Sequence, residues 1–319
     1  MNCLSILMSI NEPIIEPLPE RLSIWKLGNL SWRELSKRVW VEIYEGSLLL
    51  HAAALSFYFL LALFPLILFL ITILGFFSEA GTELRSELLL TLSRVVPYSA
   101  SALIYTTVDE IGQNADGSKL SFGILTALWI ASSGMGAISE SLNAMYGVKE
   151  SRPWWKLRLA SIGLTIALSV LIISALLLIL YGGELGEAVT NYFNQSRDFA
   201  TFWLIAQIPL ILVFVFLTFA MIYYFAPNLY NQKWYWITPG SIIGILLWLL
   251  VSFLFRVYLR HFDSYSATYG ALGAVIVLMF WFYLSGVAIL IGGKINAEIE
   301  NAAANAGIPG AKHHGEKAA

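Results

Sequence analysis

Stretches free of Asp, Glu, Lys and Arg alternate along the chain with short charged segments, and the length of the uncharged stretches is the first structural signal. A helix needs about 20 mostly apolar residues to cross the hydrocarbon core of a bilayer. Six windows reach that length: Gly46 to Ser78, Leu120 to Val148 with Glu140 inside it, Leu159 to Gly183, Phe199 to Gln232, Trp234 to Phe255 and Ser264 to Gly293. They predict membrane spans at 50–76, 121–144, 159–181, 202–226, 236–258 and 271–293. Val95 to Val108 is also uncharged, but its 14 residues, with Pro97 and several Ser and Thr, suit an interfacial or re-entrant helix instead. Upstream, Trp32, Leu35, Val39 and Ile43 recur at helical spacing, while Arg33, Glu34, Lys37, Arg38 and Glu42 fill the positions between them. That pattern predicts an amphipathic helix at the membrane surface.

Composition turns this pattern into a class. Of 319 residues, 58% are hydrophobic and 13% charged, about half the charged share of an ordinary soluble domain. The expected fold is all-α: a polytopic membrane helix bundle of about six transmembrane helices with amphipathic interfacial helices. Its expected division is a cytoplasmic segment at 1–30, a six-span membrane domain at 31–300 and a disordered cytoplasmic tail at 301–319. The start of the chain has no basic n-region or small-residue cleavage site, so the first span is expected to direct insertion.

Charge sets orientation and excludes some partners. Across six spans, thirteen of the nineteen Lys and Arg fall on the side that carries both ends of the chain and six on the other. Basic residues stay in the cytoplasm, so both termini are expected there. The long external segment Glu79 to Lys119 carries six acids against three bases and is expected to form an acidic cap. Nineteen bases against 21 acids leave no strongly basic field, so nucleic acid is not an expected partner. Cys3 is the one cysteine, and the histidines at 51, 261, 313 and 314 have no metal-site spacing. A Walker A sequence and a nucleophile elbow are both absent, so no catalytic group, cofactor or metal site is expected. His313 and His314 read as part of a solvated end.

Polar and small residues inside spans carry the remaining information, because hydrocarbon gives no reason for them unless helices pack or a cavity is lined. In the second span Ser132, Gly136, Glu140 and Asn143 follow at steps of four, four and three, and Ser139 widens the face. One reading is a polar path with Glu140 as its ion- or proton-sensitive group and His51, near the inner mouth of the first span, as a second. The other is a tight helix contact, with Glu140 paired to Lys149 or Arg152. Gly240 and Gly244 form a G-x-x-x-G pair that suits helix packing. Arg256, Arg260 and Asp263 cluster at the outer end of the fifth span, as an ion pair or a headgroup site. Lys294 and Glu298 are one turn apart, which reads as a structural pair.

These segments together resemble the YihY/BrkB family of bacterial inner-membrane proteins, over about residues 35 to 300. The resemblance rests on the first span from Ala52 to Pro65 and on Asn143, Tyr146, Gly147, Glu150, Arg152 and Trp155. Further on it rests on Ala226, Pro227 and Asn228, on Thr238, Pro239 and Gly240, and on Thr268, Tyr269, Gly270, Leu272 and Gly273. Lys294 departs from the family pattern, which usually has an acidic residue in that run. The resemblance implies a multi-pass inner-membrane protein of transport type. It also brings an old ribonuclease label, for which the sequence offers no basic groove or paired acid and base. The expected function is movement or flipping of a small or amphipathic solute without nucleotide hydrolysis by this chain. The rival is a non-transporting scaffold of the cell envelope. Membrane lipids are the expected partners, with a small-molecule substrate and self-association as further readings.

Overall fold

A computed structural model describes residues 24–76, 117–192, 197–229, 237–261 and 264–306. Among the described residues all regular structure is helical, and no strand occurs. A 3-10 turn, Ile24–Asn29, precedes α1 (Trp32–Glu45), α2 (Leu48–Phe76), α3 (Gly117–Tyr146), α4 (Trp154–Tyr192), α5 (Arg197–Phe225), α6 (Pro239–His261) and α7 (Ser264–Asn305). Each of the six expected spans falls on one of the helices α2 to α7. The helix expected over Val95 to Val108, the acidic segment 79–119 up to residue 116, Asp263 and the tail from 307 lie outside the described residues.

Helix α1 starts at Ser31, whose hydroxyl accepts the Glu34 N–H at 3.2 Å, and it stops at Gly46. An N-cap of this kind stabilises a helix by about 1 kcal/mol. The chain then bends by 66° into α2, so α1 lies across the end of the bundle. By length and composition, four helical segments can cross a membrane: Trp154–Ile179, Ile205–Phe225, Pro239–Leu259 and Val275–Asn305. The bent pair α1 and α2 makes up to five. Helix α3, at the place of the expected second span, is 30 residues long, about 45 Å at 1.5 Å per residue.

The centre of the bundle is where α3 and α7 meet their neighbours. Leu48, Ala52 and Leu55 of α2, Ile138, Leu142 and Met145 of α3, and Phe219 and Ile222 of α5 join Ile245 of α6 and Ile289 and Leu290 of α7 in one buried cluster. The outward faces of α4, α5 and α6 instead expose large apolar side chains such as Val170, Ile179, Ile208, Leu246 and Phe253. A polytopic protein can leave such faces uncovered because the bilayer is the solvent there.

A second cluster sits at the α1 end. Leu35 and Val39 of α1 and Leu27 of the 3-10 turn pack on Ile295 and Ile299 of α7. Gly28 has φ +58, and a side chain there would strike the backbone of Ile299 and Ala303, so only glycine lets the turn lie this close to α7. Helix α7 therefore continues to Asn305, into the region expected as a tail from 301, with Ala302, Ala303 and Ala304 buried. Alanine repeats in this segment are a packed helix surface, since small side chains permit the close approach.

Candidate functional site

The polar residues of the second span lead toward a buried junction at the ends of α3, α5, α6 and α7. Helix α3 ends in a Schellman turn: Val148 N–H reaches the Asn143 carbonyl at 2.9 Å and Gly147 N–H the Ala144 carbonyl at 3.1 Å. Gly147 takes φ +64, which a residue with a Cβ adopts only under strain. The turn folds the following loop back onto α3. Asn143 Nδ2 then donates to Glu150 at 2.8 Å, while its Oδ1 accepts the Asn228 N–H at 2.7 Å. Arg152 makes a two-pronged bond to Glu150, at 2.8 Å from both Nε and Nη2, and Nη2 also reaches the Ala226 carbonyl at 2.9 Å. The Asn228 amide group closes the ring by donating to the Lys149 carbonyl and the Ser151 hydroxyl.

Glu150 is the electrostatic centre of this ring. Partial burial works against its charge, but the hydrogen bonds from Arg152, the Arg152 charge and the Asn143 amide outweigh that, and its carboxyl sits below the usual 4.5. Arg152 in turn supplies donors to the last carbonyls of α5, which have no partner within their own helix. One ion pair thus ties two helix ends and a loop together.

The other half of the junction is the start of α6. Thr238 and Ser241 cap each other reciprocally, with the Thr238 N–H on Ser241 Oγ at 2.8 Å and the Ser241 N–H on Thr238 Oγ1 at 2.9 Å. Pro239 follows the cap, where its missing N–H costs nothing. Asn296 of α7 accepts the Gly240 N–H at 3.0 Å and lies near the Tyr146 hydroxyl at the end of α3. Burial pushes the Tyr146 hydroxyl well above its usual 10.0, with the nearby Glu300 carboxylate adding, so it stays protonated. Gly240 lies against Gly292 of α7, and Gly244 against Tyr223 of α5 and Ala288 of α7.

The structure divides the polar face expected on the second span. Ser132, Ser139 and Asn143 are buried, Gly136 is half-buried facing Ser161 of α4, and Glu140 is exposed. Helical geometry explains this. Two steps of four residues rotate Glu140 by about 80° from Ser132, whereas eleven residues bring Asn143 back to within about 20°. The proposed pairing of Glu140 with Arg152 is not formed, because Arg152 is held by Glu150. His51, half-buried on the first turn of α2, does not join this junction. Arg256 is exposed, and neither the Arg260 side chain nor Asp263 is among the described residues. Lys294 pairs with Glu298 at 3.0 Å and also with Glu42 of α1 at 3.1 Å. No group of three His, Cys, Asp or Glu that could hold a metal occurs among the described residues.

About nine residues up α3 from Asn143, roughly 14 Å, is a cavity of about 220 Å³ between α2, α3 and α4, with Phe282 of α7 also on its wall. Phe59, Ala62, Ala131, Gly134, Met135 and Leu168 form its walls, and Thr165 and Ser169 are the polar side chains on it. The Thr165 hydroxyl is satisfied within its own helix, at 2.8 Å from the Ser161 carbonyl, while the buried Ser169 hydroxyl has no partner. Neither Glu140 nor His51 lines this space.

Sequence reasoning did not anticipate the Glu150, Arg152 and Asn228 ring, the Tyr146 to Asn296 contact or the Glu42 partner of Lys294. Glu150 and Arg152 are two apart in a loop, a spacing with no helical signature. Asn143 was legible from its place on the polar face of the second span, whereas Asn228 was picked out only by the family resemblance.

Known proteins were then compared with the chain. A family model described as virulence factor BrkB matches residues 39–317. The Bacillus subtilis protein YfkH, ribonuclease-like by name, is 39% identical over 249 residues, covering 77% of this chain and 88% of its own length. A UPF0761 membrane protein from Tolumonas auensis is 25% identical over 280 residues, covering 86% of this chain and 88% of its own. Another, from Idiomarina loihiensis, is 31% identical over 167 residues, covering 52% and 56%. No solved structure matches.

Proposed function

This chain belongs to the virulence factor BrkB family, whose relatives are named as membrane proteins, and from that premise we propose that it moves or flips an amphipathic solute across the bilayer. The observation that carries this reading is the cavity of about 220 Å³ walled by α2, α3 and α4. The space is partly open rather than enclosed, so an apolar chain has a way into it from the side. Its lining, apolar apart from two hydroxyls, suits a hydrocarbon portion better than an ion or sugar. The junction at Asn143 and Glu150 is internally hydrogen-bonded, which suits a fixed floor beneath a moving substrate.

In this reading the protein sits in the bacterial inner membrane with six crossings and both termini in the cytoplasm. Transport draws on an ion or proton gradient, and exposed Glu140 is the group that responds to it. The ribonuclease in the name of YfkH belongs to that protein, and we assign no hydrolytic role here. A scaffold role is the second reading, in which the outward apolar flank of α6 that includes Leu246, Leu250 and Phe253 meets a partner helix in place of lipid.

The test is reconstitution of the full chain into vesicles containing a fluorescent short-chain phospholipid, with translocation read by dithionite bleaching under imposed gradients. Translocation above protein-free vesicles is expected. Ala131→Phe, which fills the cavity, should lower it at least tenfold, and Glu140→Gln should abolish its dependence on pH. Wild-type rates equal to those of empty vesicles under every gradient would sink the transport reading and leave the scaffold.

A further inference from the structure

Helix α1 sorts its residues into two faces, and only one of them is used by the bundle. Leu35 and Val39 pack on α7, and Glu42 and Arg38 turn the same way to meet Lys294 and Glu298. Glu34 pairs with Arg38 at 3.3 Å. Arg33, Lys37, Trp40 and Tyr44, spaced four, three and four apart, lie on the opposite side within an arc of about 60°.

That second face has an unusual composition for a surface left bare. Trp40 is 60% exposed and Tyr44 70%, and their rings lie 4.7 Å apart. Trp32, at the start of the helix, is 60% exposed as well. Arg33 and Lys37 are exposed, and no carboxylate among the described residues pairs with either. The acids of α1 are engaged or turned away: Glu34, about 60° from Lys37, is paired with Arg38, Glu42 is paired with Lys294, and Glu45 is about 80° to 120° round the helix from the two bases. Aromatic rings beside unneutralised bases match the boundary between acyl chains and phosphates.

We propose that the Arg33, Lys37, Trp40 and Tyr44 face of α1 docks on anionic phospholipid headgroups. The two bases bind lipid phosphates, and the two rings seat at the headgroup level beside them. Charge complementarity selects the occupant. The face presents two positive charges that no carboxylate among the described residues pairs with, whereas a zwitterionic surface offers no net attraction to them. Helix α1 is fastened to α7 by the pairs of Lys294 with Glu42 and of Arg38 with Glu298, so the docked face holds a fixed position relative to the bundle. This inference stands independently of the transport reading.

The experiment places a fluorophore on Ser36→Cys, at the edge of the face, in a Cys3→Ser background of the full chain reconstituted in bilayers. Quenching is compared between brominated phosphatidylglycerol, brominated phosphatidylcholine and aqueous iodide. Stronger quenching by the anionic lipid, weakened by high salt, is expected. The double change Arg33→Gln and Lys37→Gln should lower the preference for the anionic lipid by roughly thirtyfold, as loss of two surface bases implies. Lys149→Gln, an exposed base away from this face, should leave it unchanged. Equal quenching by the two lipids overturns the proposal, as does iodide quenching with none by lipid. Loss of lipid quenching as protein density rises also overturns it, because a second copy is then the occupant.

Discussion

Asn143 shows what a single side chain does in this protein. Its amide is buried, and it serves the loop after α3 and the segment after α5 at once, through Glu150 and the Asn228 N–H. Asn143→Ala leaves that buried N–H without a partner, a loss of about 1–3 kcal/mol on top of the hydrogen bonds themselves. A fall of several degrees in the thermal midpoint of the detergent-solubilised protein is the expected reading. Glu150 makes a different prediction, in pH. Its carboxyl is depressed in the folded protein, so its contribution to stability is fully present above the ordinary 4.5 and is lost as pH falls through the lower folded value. Midpoints of wild type and Glu150→Gln should therefore differ at pH 6 and converge as the pH drops below 4.5. A gap that stays constant down to pH 3 means the ion pair contributes nothing. The residue types at these positions were visible in the chain, but their partners were not. Residues 143, 150, 152 and 228 are joined by a loop return and a separate helix end, which local periodicity does not encode.

At the scale of elements, α1 is attached to the rest by few contacts of high value. Lys294 is buried to 8% exposure, between Glu42 and Glu298, with Arg38 against the far oxygen of Glu298. Removing the cation leaves two carboxylates partly buried and facing each other, and breaking such a pair costs about 3–5 kcal/mol. Lys294→Ala should raise amide hydrogen exchange throughout Trp32–Glu45 while that of α6 hardly changes. Unchanged protection of α1 would show that Leu35 and Val39 hold it without the ion pairs. Gly147→Ala tests the turn after α3. Forcing a Cβ into φ +64 should cost about 1–2 kcal/mol, read as a lower thermal midpoint. The sequence identified α1 as amphipathic from its spacing, and Lys294 with Glu298 from a single helical turn. The third member, Glu42, comes from a helix some 250 residues earlier, so spacing carried no trace of it.

For the whole molecule, the proposed six-span topology predicts that reagents confined to the outside do not label cysteines placed at Lys149 or at Ala306, since it puts both on the cytoplasmic side. Labelling of one position and not the other would require an odd number of crossings between them. The all-helical membrane architecture was determined by the sequence, since long uncharged stretches have few stable alternatives to helices in hydrocarbon. It likewise determined the amphipathic character of α1, because both features depend on order along one helix. The tertiary structure decided which polar groups meet. It turned Glu140 outward while burying Ser132 and Asn143, extended α7 through the Ala-rich segment to Asn305, and left a cavity between α2, α3 and α4. Helical period fixes a residue's angle about its own axis, but which angles face a neighbour depends on how separate helices cross. That crossing is set by close contacts such as Gly240 on Gly292, between residues far apart in the chain.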